Sequence, residues 1–359
     1  MAKKHYIIPI FVPHKGCPFD CVFCNQKKIT GRTKEITAKE VDDQIEEYLG
    51  TIGNLDEKYV EIAFFGGSFT GIEKIKQEEL LRIAYKWKKR GMIKDIRLST
   101  RPDYIDESIM KMLVDYGVSI IELGVQSMNY EVLIKSGRGH TAEDVVNAVK
   151  IMKKYPIQIG LQMMIGLPGD TIEIANLTAQ KLIDLSPNFV RIYPTLVVKD
   201  TYLEKMYLQG NYKSLSIDDA VVISKGLLLK FLKAEILVIR IGLQPTENIL
   251  LGKEVIAGPF HPSFRQLVEA KIFKEMLDDA FLKKDIKTHS SIEIQVNDRY
   301  VSSLVGHKKE NINFIKNKYS IKKIKTIRNN DLKDTSIKII QSGGETFVLN
   351  MKEYANNAI

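Results

Sequence analysis

Short runs of β-branched and aromatic residues alternate with longer amphipathic stretches over the first two-thirds of the chain. The apolar runs cover residues 6–12, 59–65, 95–100, 118–123, 157–165 and 189–193, all of strand length. Residues 38–49, 77–89, 106–116, 141–153 and 171–185 carry apolar positions at helical spacing. Asp106 and Thr141 stand where helix N-caps belong, and Gly91 and Gly117 where helices stop. Six strand-then-helix units predict an α/β fold with a parallel sheet and right-handed crossovers. The pattern is equally compatible with a full barrel, a partial barrel or an open sheet.

Further on, residues 216–233 predict a helix and 236–243 a strand. The chain then turns through Gly258-Pro259 and Pro262 into another helix. A polar, charged stretch at 283–290 marks a boundary. The expected divisions are a core at 1–245, a helical extension at 246–287, and a small basic α+β domain at 288–359. That last segment predicts a strand (292–296), a short helix, a helix (311–318) and strands at 321–327 and 336–340, with a fraying tail.

No run approaches the roughly 18 apolar residues of a membrane span. The most apolar stretch, 226–241, is broken by Lys230, Lys233, Glu235 and Arg240. The N-terminal segment imitates a signal peptide briefly, but Pro9 and Pro13 interrupt it and no cleavage site follows. The expectation is a soluble cytoplasmic protein without a membrane partner. Fifty-three Lys and Arg against 44 Asp and Glu leave a net charge of +9. That balance favours polyanionic partners, although a Lys-rich solvated surface accounts for it equally well.

All three cysteines, Cys17, Cys21 and Cys24, fall within eight positions of "GCPFDCVFCN". Three cysteines cannot pair off, and a reducing compartment suits them. Three thiolates on one loop suit a soft metal or an iron–sulfur cluster. The alternatives are buried apolar cysteines, or a zinc site completed by His14. A cluster held by three cysteines leaves one iron open to an outside ligand. Other polar or glycine-rich motifs also follow strands: Gly66-Gly67-Ser68, Ser99 to Asp103, Gln126-Ser127, Gly166 to Gly169, and Tyr193 to Thr195. Chemistry gathers at such strand exits in α/β proteins.

C-x3-C-x2-C after the first strand, Phe23 before the last cysteine, and Gly-Gly after the second strand resemble the radical S-adenosylmethionine (SAM) enzymes. The resemblance covers residues 5–245. It implies a partial (β/α)6 TIM-like barrel and a [4Fe–4S] cluster on Cys17, Cys21 and Cys24. The open iron would chelate SAM, and one electron would cleave SAM to methionine and a 5′-deoxyadenosyl radical that abstracts hydrogen from a C–H bond. An electron donor such as a reduced flavodoxin or ferredoxin is implied. By the same resemblance Gly66, Gly67 and Ser68 meet the SAM amino group, Gln126 lies near the ribose, and Arg138 pairs with the carboxylate. Gly166 and Leu167 pass the adenine, while Ser99 and Arg101 exit into the same mouth. Tyr193, Arg240 and Gln244 are the candidates for the substrate side. His261 is read as a turn-packing residue.

"FFGGSFT", "STRPD", "ELGVQS", "GRGHT" and "QMMIGLPGDT" are most similar to the Elongator catalytic-subunit branch, which modifies wobble uridine of tRNA and carries an acetyltransferase domain downstream. Too few residues follow position 245 for that domain. Similarity to oxygen-independent coproporphyrinogen oxidases is weaker and implies a tetrapyrrole or other small-molecule substrate. No cysteine is left for a second cluster or for a methyl-carrying thiol. The order around "LVGHKKENINFIKNKYSIKKIKTI" is that of a KH module, whose GxxG loop clamps nucleic-acid backbone. Here Gly306 supplies the first glycine and Lys309 replaces the second. RNA, specifically tRNA, is the expected polyanion. The non-enzymatic rival is a zinc-bearing RNA-binding protein.

Overall fold

The structure is a computed structural model that describes residues 5–12, 21–25, 36–243, 250–283, 291–333, 335–341 and 346–358. Its chain forms two compact units, Met1–Leu215 with Leu243–Phe260, and Ser216–Gly242 with His261–Ile359.

The first unit begins with β1 (His5–Val12), α1 (Ala38–Ile52), β2 (Tyr59–Gly66), α2 (Lys74–Lys89), β3 (Asp95–Thr100) and α3 (Glu107–Asp115). It continues through β4 (Val118–Gln126), α4 (Tyr130–Lys135), α5 (Ala142–Met152), β5 (Gln158–Ile165), α6 (Ile172–Asp184) and β6 (Phe189–Pro194). β7 (Val197–Val198) and α7 (Tyr202–Leu208) follow. The next elements are α8 (Ile217–Lys233) and β8 (Leu237–Ile241), and then β9 (Val255–Ala257), which pairs antiparallel with β7.

Every neighbouring pair from β1 to β6 is parallel. The strand order is sequential, β1-β2-β3-β4-β5-β6-β8, so the sheet is a partial barrel of the expected kind. Period-two alternation sorts its faces. Val60, Ile62, Phe64, Ile96, Leu98, Ile121, Leu123, Leu161, Met163, Val190 and Ile192 are buried on one face. The helices lay their apolar stripes there, as with Val41, Ile45 and Leu49 of α1.

The other face carries charge. Glu61, Arg97, Glu122, Gln162 and Arg191 come one each from β2, β3, β4, β5 and β6. Arg97 bridges Glu61 at 3.0 Å and Glu122 at 2.9 Å. Arg191 Nη2 donates to Glu122 Oε1 at 2.9 Å, and Gln162 Nε2 donates to Glu122 Oε2 at 3.1 Å. Both glutamates are fully buried. The Phe189 ring lies 5.5 Å from the Arg97 guanidinium carbon. It occupies the space over Gly160, where a Cβ would stand 2.2 Å from Phe189 Cε2.

Elements the pattern did not predict are α4, α7, β7 and β9, and further on β13 (Thr346–Asn350) and α12 (Met351–Ala358). The first two are short, and their apolar positions, Val132, Leu133 and Leu203, are too few to show a period. The strand expected at 118–123 runs on to Gln126, whose polar side chain disguises it.

In the second unit α9 (Phe264–Lys283) is followed by β10 (Ser291–Val296), α10 (Val301–Val305), α11 (Glu310–Lys318), β11 (Lys323–Arg328), β12 (Ser336–Gln341), β13 (Thr346–Asn350) and α12 (Met351–Ala358). Its sheet order is β11-β10-β12-β13, with β10 parallel to β11 and antiparallel to β12. The tail does not fray as expected. Met351 and Ala355, one turn apart, are buried and hold α12 down. Within this unit α8 packs on α9 and α12.

Replacing Glu122 by Gln would leave two buried guanidinium groups facing a neutral amide. A loss of about 3–5 kcal/mol is expected, measured as a lower urea midpoint with unchanged slope.

Candidate active site

The exits of β1, β2 and β3 are hydrogen-bonded to one another, the first pair through backbone and the second through Ser68. Gly66 has φ 109, and a Cβ there would lie 2.4 Å from the Val12 carbonyl oxygen. Only glycine allows that approach. The Gly67 N–H donates to the same Val12 oxygen at 3.2 Å. Ser68 Oγ lies 2.8 Å from Thr100 Oγ1 and accepts the Arg101 N–H at 3.2 Å. The Arg101 side chain forks onto Asp103, with two bonds of 2.9 Å, and donates to the Arg138 carbonyl at 2.7 Å. Ser99 is half-buried near the end of β3.

The described part of the cysteine loop is pinned at both edges. Cys21 is buried and Cys24 half-buried, and the Cys24 N–H closes a turn onto the Cys21 carbonyl at 2.9 Å. The Val22 N–H donates to Ser136 at 3.0 Å, and the Val22 carbonyl accepts from Leu203 at 2.7 Å. Val22 packs in a small core with Val197, Leu203 and Tyr212, against which Phe23 rests. Cys17, His14 and Gln244 lie outside the described residues.

Arg138 is placed by a helix stop. At the end of α4, Gly137 takes φ 61 and donates to Ile134, while the Arg138 N–H reaches back to Leu133. This is a Schellman motif with Arg138 at C″. Three residues after Arg138, Thr141 and Asp144 form a capping box that starts α5. Between these fixed ends the Arg138 side chain turns inward and is 7% exposed. Its Nη1 lies 3.6 Å from Cys21 Sγ and its Nη2 donates to the Gly124 carbonyl. Its Nε has no partner among the described residues.

Gln126 ends β4 with φ 67, and the Ser127 N–H closes back onto the Val125 carbonyl at 2.9 Å. Gln126 is therefore the centre of a strained three-residue turn. Its Oε1 is buried and has no partner among the described residues. A Cβ on Gly124 would fall 2.8 Å from Arg138 Nη2 and 3.1 Å from Gln126 Nε2, so Gly124 makes room for both side chains. His140, which sequence reasoning missed, sits behind this turn. Its Nε2 lies 3.2 Å from the Val125 carbonyl. Burial, then the positive charges of Arg138 and Arg101, push its pKa down to about 3, so the ring is neutral. Only its place between a helix stop and a cap in "SGRGHT" marked it in the sequence.

Gly166 follows β5 with φ 75. Its N–H donates to Asp170 at 2.8 Å and its carbonyl accepts from the Tyr212 hydroxyl at 2.6 Å. Leu167 is buried. Burial raises the Asp170 pKa to about 6 against the opposing backbone N–H bonds of Gly166 and Thr171. Burial and the nearby Asp170 charge raise that of Tyr212. Tyr193 is half-buried on β6, where Arg191 Nη1 donates to its hydroxyl at 3.3 Å. Arg240 is half-buried on β8. His261 Nδ1 accepts the Ser263 N–H at 3.1 Å in the turn before α9.

The second unit holds a basic loop between α10 and α11. Gly306, Lys308 and Lys309 have φ values of 77, 47 and 65. His307, Lys308 and Lys309 are exposed. Buried Asn311 supports the loop by donating to the carbonyls of Ala270, Ser303 and Leu304.

Comparison with known proteins adds to this geometry. Residues 11–181 match the Radical SAM superfamily, and residues 187–274 match the Radical_SAM C-terminal domain. An uncharacterized protein of Methanocaldococcus jannaschii is 31% identical over 222 residues, 59% of this chain and 68% of that one. The tRNA uridine(34) acetyltransferase of the same organism is 25% identical over 60% of this chain and 47% of its own length. Human Elongator complex protein 3 is 28% identical over 49% of this chain and 36% of its own. This chain thus spans half or less of those two relatives. Among solved structures, archaeal Methanocaldococcus infernus Elp3 with an N-terminal deletion shares the fold, with a TM-score of 0.61 at 19% identity over 81% of this chain and 71% of that one.

Asp170 makes a measurable pH dependence. Its folded pKa lies above its unfolded value, so its contribution to stability is complete below about pH 4 and lost as pH rises through about 6. Asp170→Asn keeps an acceptor for Gly166. Its stability relative to the parent should rise by on the order of 2 kcal/mol between pH 4 and 7.5 in denaturant melts.

Proposed function

The chain belongs to the radical SAM superfamily, and on that premise we propose that it modifies RNA, with tRNA as its substrate. The observation that carries the cofactor assignment is that Gln126 Oε1 and Arg138 Nε are buried without a partner among the described residues, while Arg138 Nη1 lies 3.6 Å from Cys21 Sγ. Buried polar groups require partners, so a polar ligand fits there. The family's cofactors are a [4Fe–4S] cluster and SAM. Cys17, Cys21 and Cys24 would hold the cluster. Gly66, Gly67 and Ser68 would offer backbone to the SAM amino group, Gln126 would take the ribose and Arg138 the carboxylate. Gly166 and Leu167 would line the adenine.

When bound and reduced by a donor such as flavodoxin or ferredoxin, these cofactors supply the radical chemistry of the family. The chain's own residues bind, orient and exclude water. A guanidinium suits a carboxylate because its donors are fixed in a plane. Arg101 acts through Arg138, whose carbonyl it holds, rather than through a contact of its own. Ser99 would line the cofactor mouth, and Tyr193, on the polar face of the sheet, would serve the substrate side. Arg191 fixes the Tyr193 hydroxyl and is itself held by Glu122. Arg240 and Gln244 complete that assignment.

The tRNA reading rests on the similarity to tRNA uridine(34) acetyltransferase and Elongator complex protein 3, and on the exposed lysines of the second unit. Gly306 to Lys309 would approach the nucleic-acid backbone with two charges.

Anaerobically reconstituted protein should hold about four irons per chain and release 5′-deoxyadenosine from SAM. Cys24→Ala should abolish both. Protein that takes up only zinc and never cleaves SAM would refute the enzymatic reading, and turnover of a small molecule without RNA would refute the RNA substrate. In the full chain, K308E with K309E should weaken tRNA binding. Two lost phosphate contacts should lower the slope of log affinity against log salt by about 1–2.

A further inference from the structure

His140 has no part in the assignments above, yet the residue is only 4% exposed and its Nε2 is committed to one backbone oxygen, Val125 O, at 3.2 Å. A carbonyl can only accept, so Nε2 carries the ring proton. The same oxygen accepts the Ser127 N–H at 2.9 Å. Two donors thus converge on the carbonyl that precedes Gln126, the residue held at φ 67. Such backbone in a non-glycine residue is strained and persists only where its surroundings over-determine it. The β4–β5 register shifts between Gly124 and Gln126, which pair with Gln162 and Met163, so Val125 is the residue the ladder skips.

His140 is fixed from its own side. Gly139 takes φ 75, the Schellman motif anchors Arg138, and the Thr141–Asp144 capping box anchors the next residue. One segment, Arg138 to His140, therefore bears on both Gln126 and Arg138, side chains of the site that each carry a buried polar atom without a partner among the described residues. Arg138 enters it directly, and His140 reaches Gln126 through the Val125 carbonyl.

We infer that His140 is a positioning residue for SAM: its Nε2–H bond to Val125 O holds the strained turn that keeps the Gln126 amide over Gly124 and beside Arg138. This rests on the cofactor assignment proposed above. The ring acts as a neutral donor across the working pH range, so its role is geometric.

Equilibrium binding of SAM to anaerobically reconstituted full-length protein tests this, with iron content measured on each sample. His140→Leu removes the donor. His140→Gln presents an amide N–H at the reach of Nε2, whereas His140→Asn presents one too short to meet Val125 O. H140L and H140N should weaken SAM binding about tenfold, the scale of one buried hydrogen bond, with iron unchanged. H140Q should bind within about threefold of the parent. Because His140 acts through Gln126, H140L combined with Q126A should bind no more weakly than Q126A alone. If H140L does not fold, the contrast between H140Q and H140N decides. Parent-like binding by H140N, equal weakening in H140Q and H140N, or full additivity with Q126A overturns the inference. If Q126A itself leaves SAM binding unchanged, the cofactor assignment fails and this inference with it. Weakened Q126A beside an unaffected H140L or H140N sinks the inference alone.

Discussion

The fully buried carboxylate of Glu122 sits between the guanidinium groups of Arg97 and Arg191. Through Glu61 and Gln162 the same network reaches β2 and β5, so five consecutive strands converge on one charge. Charge burial of this kind is costly and is tolerated only where opposite charges meet. It also forbids slippage. Moving any of these strands by one residue would turn its charged side chain into the apolar, helix-covered face. The network thus holds the strands at a fixed stagger, and the stagger sets where each strand ends.

Those ends are where the site is built, mostly from backbone in conformations that few residues accept. Gly66 and Gly124 leave room where a Cβ would collide, Gly166 takes positive φ, and Gln126 takes it as a non-glycine. Each is held by a nearby polar group: Ser68 and Thr100 at the second and third exits, His140 at the fourth, and Asp170 with Tyr212 at the fifth. Preorganisation here comes from neighbouring exits bracing one another, as where Arg101 holds the Arg138 carbonyl. A rigid scaffold of this kind suits chemistry in which the cofactors react and the protein orients them.

The second unit applies the same device on a smaller scale. Lys308 and Lys309 adopt left-handed backbone that ordinarily favours glycine, and buried Asn311 ties the carbonyls around the loop. The result presents two exposed ammonium groups from a strained, supported turn. Strain at a functional loop is a reason to test it.

By itself the sequence determined the α/β repeat, the six strand exits and the motifs upon them, since periodicity and glycine placement are local properties. "LIKSGRGHTAED" even carried the helix stop and the cap that frame Arg138. Element limits and short helices such as α4 and α7 escaped it, because a few apolar residues show no period. So did the tail, where two residues, Met351 and Ala355, are enough to dock α12. Tertiary structure alone decided that Glu61, Arg97, Glu122, Gln162 and Arg191 form one network, because their partners lie on other strands. It alone brought His140 to the Val125 carbonyl, since a backbone acceptor leaves no residue-type signature in the chain. A side chain's partner across the sheet is set by register and closure, and these emerge only when the whole sheet has formed.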